Sequence, residues 1–192
     1  MITASHLPYN RNGIKFFDAE GGLEHDDITE ILNLAGMLNP VRNNYAAKVF
    51  DLLPLYASYL KGQIAQALGG GTKPLDGLHI VVDSGNGASG FFVDQILQPL
   101  GADTTGSQFL EPDGMFPNHI PNPENKQAME AIRTAVLNNK ADLGLIFDTD
   151  VDRMSAVLSD GREVNRDSII AMIAAILAPE YPGSTIITDS VT

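Results

Sequence analysis

The chain contains no cysteine, few basic residues and no long apolar run. Without cysteine, neither a disulfide framework nor a thiolate zinc site can form. Only 12 lysines and arginines stand against 24 aspartates and glutamates, which gives a net charge of −12. An acidic chain of this kind disfavours nucleic acid and anionic membranes as partners, and it favours a small molecule.

The apolar segments are also short. The longest, residues 169–178, is far too short to cross a bilayer, and the first residues lack the basic region and apolar run of a signal peptide. We therefore expect a cytoplasmic protein with no membrane partner. With 192 residues, 44% of them hydrophobic, the chain can build one or two packed cores.

Three aspartates at alternate positions follow one of these apolar segments. Asp148, Asp150 and Asp152 come directly after residues 143–147, and Arg153 follows them. Because residues two apart in an extended chain point the same way, the three carboxylates can converge on one divalent cation. Oxygen ligands of this kind suit Mg²⁺ or Ca²⁺ and not zinc. The run predicts a metal site that can also receive a phosphate.

Other acidic loops compete with this interpretation. A solvated acidic turn is one alternative, since exposed aspartates are common at turns. An EF-hand loop requires Gly at its sixth position and Glu at its twelfth, where this chain has Arg153 and Ser159, so it is excluded. A haloacid-dehalogenase-type phosphatase also has two aspartates two residues apart after an apolar strand. Asp152, where Thr or Val is expected in such an enzyme, argues against this third alternative.

The amino-terminal residues carry a second pattern. Residues 2–17 read ITASHLPYNRNGIKFF, and they closely resemble the phosphoserine loop of the α-D-phosphohexomutases, the phosphoglucomutase and phosphomannomutase family. In that family the loop is of the Thr-Ala-Ser-His-Asn-Pro type and is followed by Asn-Gly-x-Lys. Leu7 departs from the usual Asn. The positions that agree in register are Ser5, His6, Pro8, Asn12, Gly13 and Lys15.

Three further motifs of this family follow in the family's order. Residues 78–90 resemble the first strand and turn of its second domain, residues 111–119 its acidic, proline-rich loop, and residues 148–153 its metal loop. Residues 85–90 also match the Gly-x-Gly-x-x-Gly dinucleotide fingerprint, but the acidic residue expected at the end of the next strand is displaced to Glu111. We prefer a tight turn whose glycines permit close packing of strand and helix.

The resemblance implies a chemical role for the matched serine and aspartates. Ser5 carries a phosphoryl group in the resting enzyme of this family. Asp148, Asp150 and Asp152 would hold Mg²⁺ together with one phosphoryl oxygen on Ser5. The implied reaction converts a hexose 1-phosphate into a hexose 6-phosphate through a bisphosphorylated sugar, so the expected partner is a sugar phosphate.

The resemblance also implies roles for three basic residues, each with a structural alternative. Lys15 would be the general base, which requires a depressed pKa; the alternative is a surface lysine. Arg153 would hold the phosphate through two hydrogen bonds, and an ion pair with the aspartates is compatible with that role. His6 would orient the loop or contact the phosphate, or it is a structural side chain. His119 is a weaker candidate for direct chemistry.

Two substrate classes remain open within the family. Residues 12–17 resemble phosphoglucosamine mutases, whereas residues 116–119 look more like enzymes that act on glucose and mannose phosphates, which we favour. A non-catalytic metal-binding module is the rival from another functional class. The resemblance also places nearly a hundred residues before the serine loop and two further domains after this chain. We therefore expect a fragment that binds Mg²⁺ weakly and does not turn over substrate.

The hydrophobic pattern predicts an α/β fold with mixed, mostly parallel sheets and flanking helices. Residues 69–74, a triple glycine closed by Pro74, mark the predicted domain boundary. The predicted domains are 1–72, the later part of domain 1; 73–163, domain 2; and 164–192, the start of domain 3. Asp26 or Asp27 is expected to cap a helix that runs to about 38 and carries on one face Ile28, Ile31, Leu32, Ala35 and Leu38. Further helices are expected at 50–68, 90–100, 125–139 and 167–177. Strands are expected at 79–82, 105–109, 143–147, 154–158 and 185–188.

Overall fold

The computed structural model describes residues 1–5, 7–39, 46, 48–164 and 166–187. Within these ranges the helices are α1 (His25–Met37), α2 (Leu53–Ala67), α3 (Lys126–Asn139) and α4 (Arg166–Leu177), and the strands are β1 (Ile80–Asp83), β2 (Leu143–Phe147) and β3 (Met154–Leu158). A 3₁₀ turn at Ala88–Gly90 and a π-helical turn at Val93–Leu97 follow β1. No helix in the described ranges is both long and apolar enough to cross a membrane.

The strands form a mixed sheet in the order β1-β2-β3. β1 and β2 are parallel, with Asp83 opposite Ile146, and β2 and β3 are antiparallel. Asp83 therefore lies at the carboxyl end of β1, and Asp148 follows the carboxyl end of β2 at the same edge of the sheet. The predicted α/β class with a mixed sheet and flanking helices is confirmed.

Helices cover both faces of this sheet. Because side chains alternate along a strand, Val81 packs with α3, whereas Ile80 and Val82 belong to a second cluster with α2 and the π-helical turn. Gly144 allows α3 to approach β2 closely, since the side chains of Ile132 and Val136 occupy the space that a Cβ atom would need. The result is a three-layer α/β/α arrangement that fixes the ends of β1 and β2.

Helix α1 has no such support. None of its residues is buried, and Leu32, on the predicted apolar face, is 66% exposed. Its predicted cap was wrong: Glu24 is the N-cap, and its carboxylate accepts the N–H of Asp27. Asp27 in turn accepts the backbone N–H of Glu24 at 3.1 Å. This reciprocal capping box starts the helix earlier than Asp26 or Asp27 alone would.

The predicted strand at 105–109 was also wrong. Asp103 and Gln108 each form an isolated parallel bridge, with His79 and Asp83. Between these bridges the hydroxyl of Ser107 accepts the N–H of Val82 at 2.9 Å, which replaces a backbone acceptor and interrupts the ladder. A serine side chain that substitutes for a carbonyl cannot be read from strand periodicity.

Two other predicted elements differ. The expected helix at 90–100 is present but irregular: a 3₁₀ helix at Ala88–Gly90 leads into a π-helix at Val93–Leu97. In the π-helix Gln98 donates to the carbonyl of Val93 at 3.0 Å, an i→i+5 bond. Residues 185–187 form no strand, because no described segment pairs with them. Thr188 and the predicted phosphate ligand His6 lie outside the described residues.

Candidate active site

The acidic loop leaves the buried strand β2 and returns into β3. One carboxylate oxygen from each of Asp148, Asp150 and Asp152 lies within 4.8 Å of the others. Between the last two, Val151 has a φ of 67°, a conformation that a β-branched residue adopts only at a cost of about 1–3 kcal/mol. The loop thus holds a strained turn in which three carboxylates converge.

Arg153 closes this loop onto Asp148. Its backbone N–H donates to Oδ1 of Asp148 at 3.1 Å, and its Nε donates to Oδ2 at 3.0 Å. The same Nε lies 3.6 Å from Oδ1 of Asp152. One guanidinium therefore faces two of the three carboxylates, which leaves the group with excess negative charge.

The charge balance is visible at Asp148, whose side chain is fully buried. Burial raises the pKa of Asp148, the neighbouring Asp152 raises it further, and the hydrogen bonds from Arg153 oppose the change. At Asp150, Oδ1 is buried and has no hydrogen-bond partner among the described residues. A buried anionic oxygen that lacks a hydrogen-bond partner and lies beside other negative charges is a suitable ligand for a hard divalent cation.

The amino-terminal segment meets this loop through Ser5. Nη2 of Arg153 donates to Oγ of Ser5 at 3.2 Å, although 148 positions separate the two residues. Thr3 makes a second link, because its hydroxyl donates to Oδ2 of Asp150 and accepts the N–H of Ser5 at 3.0 Å. Ser5 itself has a φ of 53°, in the left-handed region. The structure thus brings Ser5, Arg153 and the acidic triplet to one place.

Lys15, another predicted site residue, does not join them. Lys15 is exposed, and within the described residues its ammonium forms no hydrogen bond or ion pair. Its backbone N–H donates to the carbonyl of Met1 at 2.9 Å, and so it belongs to a short hairpin-like pairing of the segment. In that pairing Thr3 donates its N–H to the carbonyl of Gly13, and a Cβ on Gly13 would collide with the carbonyl oxygen of Thr3. The role of Lys15 stays a prediction.

Asp83 and His119 form a buried pair close to the acidic loop. Nε2 of His119 lies 3.0 Å from Oδ1 of Asp83, and its Nδ1 lies 3.0 Å from the carbonyl of Ile120. Both ring nitrogens face acceptors, which favours the doubly protonated ring. Burial lowers the pKa of His119, but the bonds and charge of Asp83 outweigh it, so the pKa is raised.

This pair is coupled to the acidic loop through a glycine turn. Asp83 accepts the N–H of Gly85 at 2.8 Å, and at the other end of the turn Ala88 donates to the carbonyl of Thr149 at 2.9 Å. A Cβ on Gly87 would approach Thr149 to 3.0 Å. The predicted tight turn therefore lets residues 84–88 lie directly against residue 149.

The sequence interpretation gave neither Thr3 nor Asp83 a role at the site. Thr3 belongs to the Thr-Ala-Ser-His pattern, and Asp83 ends a buried strand, so both carried a positional signal. What the sequence could not supply was the partner, because the contacts join residues 147 and 36 positions apart.

Comparisons with known proteins agree with the motifs. The family model of phosphoglucomutase/phosphomannomutase alpha/beta/alpha domain II matches residues 55–161, and that of domain I matches residues 1–36. A phosphomannomutase/phosphoglucomutase from Pseudomonas syringae is 32% identical over 189 residues, which cover 98% of this chain and 39% of the relative. A phosphoglucosamine mutase from Corynebacterium jeikeium is 34% identical over 182 residues, which cover 92% of this chain and 39% of the relative.

Solved structures give the same result for the fold. A crystal structure of a phosphoglucomutase/phosphomannomutase family protein from Burkholderia thailandensis has a TM-score of 0.75 at 25% identity, and the match covers 95% of this chain and 38% of that protein. The domain II model begins before the triple glycine and so includes most of α2, whose Ala57 packs in the core below β1. The chain spans 39% of the length of the curated relatives described above. With the domain II model matching more than half of its residues, the chain belongs to the phosphoglucomutase/phosphomannomutase family.

Proposed function

We propose that this chain supplies the phosphoserine and the metal loop of a phosphohexomutase that interconverts the 1- and 6-phosphates of glucose or mannose. The observation that supports this most directly is the guanidinium of Arg153, which contacts Oγ of Ser5 and the carboxylate of Asp148 together. The hydroxyl can carry the phosphoryl group, the guanidinium can bind its oxygens, and the carboxylate can bind the metal ion.

Mg²⁺ is the proposed cofactor, held by Asp148, Asp150, Asp152 and an oxygen on Ser5. The donor set consists of oxygen atoms alone, which suits a hard cation, and the unpartnered Oδ1 of Asp150 supports a ligand at this point. When bound, the ion would neutralise charge on the phosphoryl oxygens during transfer.

The proposed roles of the protein groups follow from this arrangement. A sugar hydroxyl attacks the phosphorus on Ser5, the bond from phosphorus to Oγ breaks, and Arg153 donates a hydrogen bond to the released oxygen. The bisphosphorylated sugar then returns its other phosphate to Ser5 by the reverse exchange. Lys15 is the proposed general base for the attacking hydroxyl, and His6 a proposed ligand of the phosphate. Because Lys15 is exposed here, its role requires closure of this segment over the sugar.

The proposed setting for this chemistry is the cytoplasm, with residues 1–72, 73–163 and 164–192 as parts of three successive domains of a longer enzyme. A phosphoglucosamine mutase is the second candidate. The 34% identity to the relative from Corynebacterium jeikeium favours it, as do the residues around Lys15. The two candidates share the Ser5 chemistry and differ only in the sugar.

Transfer of a phosphate to Ser5 tests the proposal. The chain is incubated with Mg²⁺ and the 1,6-bisphosphate of glucose, mannose or glucosamine in turn, and its intact mass is measured. We expect a gain of about 80 Da with one sugar class, absent in Ser5→Ala and retained in the control Ser58→Ala, an exposed serine of α2. A chain that gains no mass would support the non-catalytic module. A gain retained in Ser5→Ala but lost in Asp148→Asn would point to the dehalogenase-type chemistry.

A further inference from the structure

Thr3 lies between the serine and the metal loop. Its side-chain hydroxyl contacts the carboxylate of Asp150 on one side and the backbone N–H of Ser5 on the other, and the residue is half-buried. Together with the bond from Arg153 to Ser5, the contact of Thr3 with Asp150 joins the amino-terminal segment to residues 148–153 through side chains.

The chemistry of the hydroxyl makes these two contacts directional. A threonine hydroxyl offers one donor and two acceptor positions. An ionised carboxylate only accepts, so the donor must point at Oδ2 of Asp150, and the N–H of Ser5 must meet a lone pair. Both contacts can form at once only when the three groups keep this arrangement. A valine of the same shape would lose both.

The two carboxylate oxygens of Asp150 lie in different surroundings. Oδ2 is occupied by Thr3, whereas Oδ1 is buried and has no partner among the described residues. With Oδ2 held by Thr3, Oδ1 is the oxygen of Asp150 that remains for a cation. On the other side, the same hydroxyl restrains the backbone of Ser5, whose φ of 53° is unfavourable for a residue other than glycine.

We propose that Thr3 is a positioning residue that sets both the metal-binding oxygen of Asp150 and the backbone of Ser5, and so couples the serine loop to the metal loop. The inference rests on the proposed function, because it needs a cation at the acidic triplet. It goes beyond that function in assigning the coupling to one hydroxyl group. Groups behind the ligands of a metal typically change its affinity by about 10–100-fold when they are removed.

Binding of Mn²⁺, a paramagnetic substitute for Mg²⁺, tests the inference. Electron paramagnetic resonance measures free Mn²⁺ against the whole chain, its Thr3→Val and Thr3→Ser variants, and the control Thr72→Val, which changes an exposed loop threonine. We expect about a tenfold or greater loss of affinity in Thr3→Val, and affinity within about threefold of the wild type in Thr3→Ser, which keeps the hydroxyl. The control should bind as the wild type does.

The outcomes separate the inference from the function on which it rests. Equal affinity in Thr3→Val and the wild type, with unchanged circular dichroism, would overturn the role of Thr3 and leave the metal site intact. A wild type that does not bind Mn²⁺ would overturn the metal site and the inference together. If Thr3→Val fails to fold, Thr3→Ala replaces it. A serine variant as weak as the valine variant would also contradict the inference, since it would show that the methyl group matters and the hydroxyl does not.

Discussion

The serine loop and the metal loop of the proposed site belong to two regions that differ in how densely they are packed. Residues 73–164 pack a sheet between helices, with Val81, Val82, Ile132 and Ile146 fully buried or nearly so. Among the described residues of 1–60, only Ala57 is buried, and it belongs to the core of the other region. Yet Ser5 comes from the loosely packed region, and the acidic triplet comes from the densely packed one.

This difference separates stability from assembly of the site. The metal loop is held by β2, by β3 and by the turn at residues 84–88, so its geometry follows from the core. Side-chain contacts from Arg153 to Ser5 and from Thr3 to Asp150 hold the described part of the serine loop against it. Changes in the core should unfold the chain, whereas changes in these contacts should detach the serine.

The largest predicted effect breaks the core and leaves the exposed helix unaffected. Ile132→Ala removes a fully buried side chain of α3, and we expect a loss of about 2–5 kcal/mol in the free energy of unfolding. Its matched control is Leu32→Ala in α1, where the side chain is 66% exposed, with an expected change within about 0.5 kcal/mol. Urea unfolding of both variants measures this. Equal losses would show that α1 is packed as firmly as α3.

The next effect concerns Arg153, whose side chain links the two regions. Arg153→Ala leaves the buried carboxylate of Asp148 without its guanidinium partner. We expect a loss of about 1–3 kcal/mol in the free energy of unfolding, measured by urea unfolding. The control is Arg133→Ala, because Arg133 forms only an exposed pair with Glu130 at 3.6 Å. A stability change in Arg153→Ala no larger than the control would mean that the buried carboxylate is satisfied in another way.

A smaller effect is the pH dependence contributed by the pair of His119 and Asp83. Because the folded state raises the pKa of His119, its stabilisation is fully present below the unfolded value of about 6.5 and is lost as pH rises through the folded pKa. The unfolding free energy of the wild type should therefore fall with rising pH by at most about 1.4 kcal/mol per unit. Urea unfolding at several pH values should show a flatter profile for His119→Gln.

The matched control for that slope is His25→Gln, at an exposed position at the start of α1. It should keep the slope of the wild type. Parallel profiles of the wild type and His119→Gln would contradict the charged pair and would imply a neutral histidine beside Asp83.

The smallest predicted effect is stabilisation by the metal. At a Mg²⁺ concentration ten times its dissociation constant, we expect a gain of about 1.4 kcal/mol in the free energy of unfolding, since the ion binds the folded loop alone. Thermal or urea unfolding with and without Mg²⁺ measures it, and Asp150→Asn should reduce the gain. A gain unchanged in that variant would place the ion elsewhere.

The parts of the fold that were predictable are those that local patterns determine. The convergence of Asp148, Asp150 and Asp152 was predicted, but a turn with Val151 at positive φ brings them together, and not the extended chain from which it was argued. Asn125 was correctly included at the start of the helix that became α3. The strand at 105–109 was wrong because Ser107 replaces a backbone acceptor. The helix α1 was predicted, but a pattern of apolar residues does not state whether other parts of the chain cover that face, and none of its residues is buried.

The site shows the same division. The approach of Ser5 to the acidic triplet was expected only through the family resemblance, since nothing local connects positions 5 and 153. The bonds of Thr3 and of His119 were not predicted, because each depends on a partner brought close by tertiary packing. A hydroxyl or an imidazole has no sequence signature that names its acceptor.

The most direct measurement is the phosphorus NMR signal of the chain with phosphoserine introduced at position 5, recorded with and without Mn²⁺. If Ser5 and the acidic triplet bind one cation and phosphoryl group, bound Mn²⁺ should broaden this signal severely in the wild type and far less in Asp150→Asn. A signal that stays narrow while Mn²⁺ occupies the triplet would show that the phosphoryl group and the ion are apart, which would contradict the proposed site.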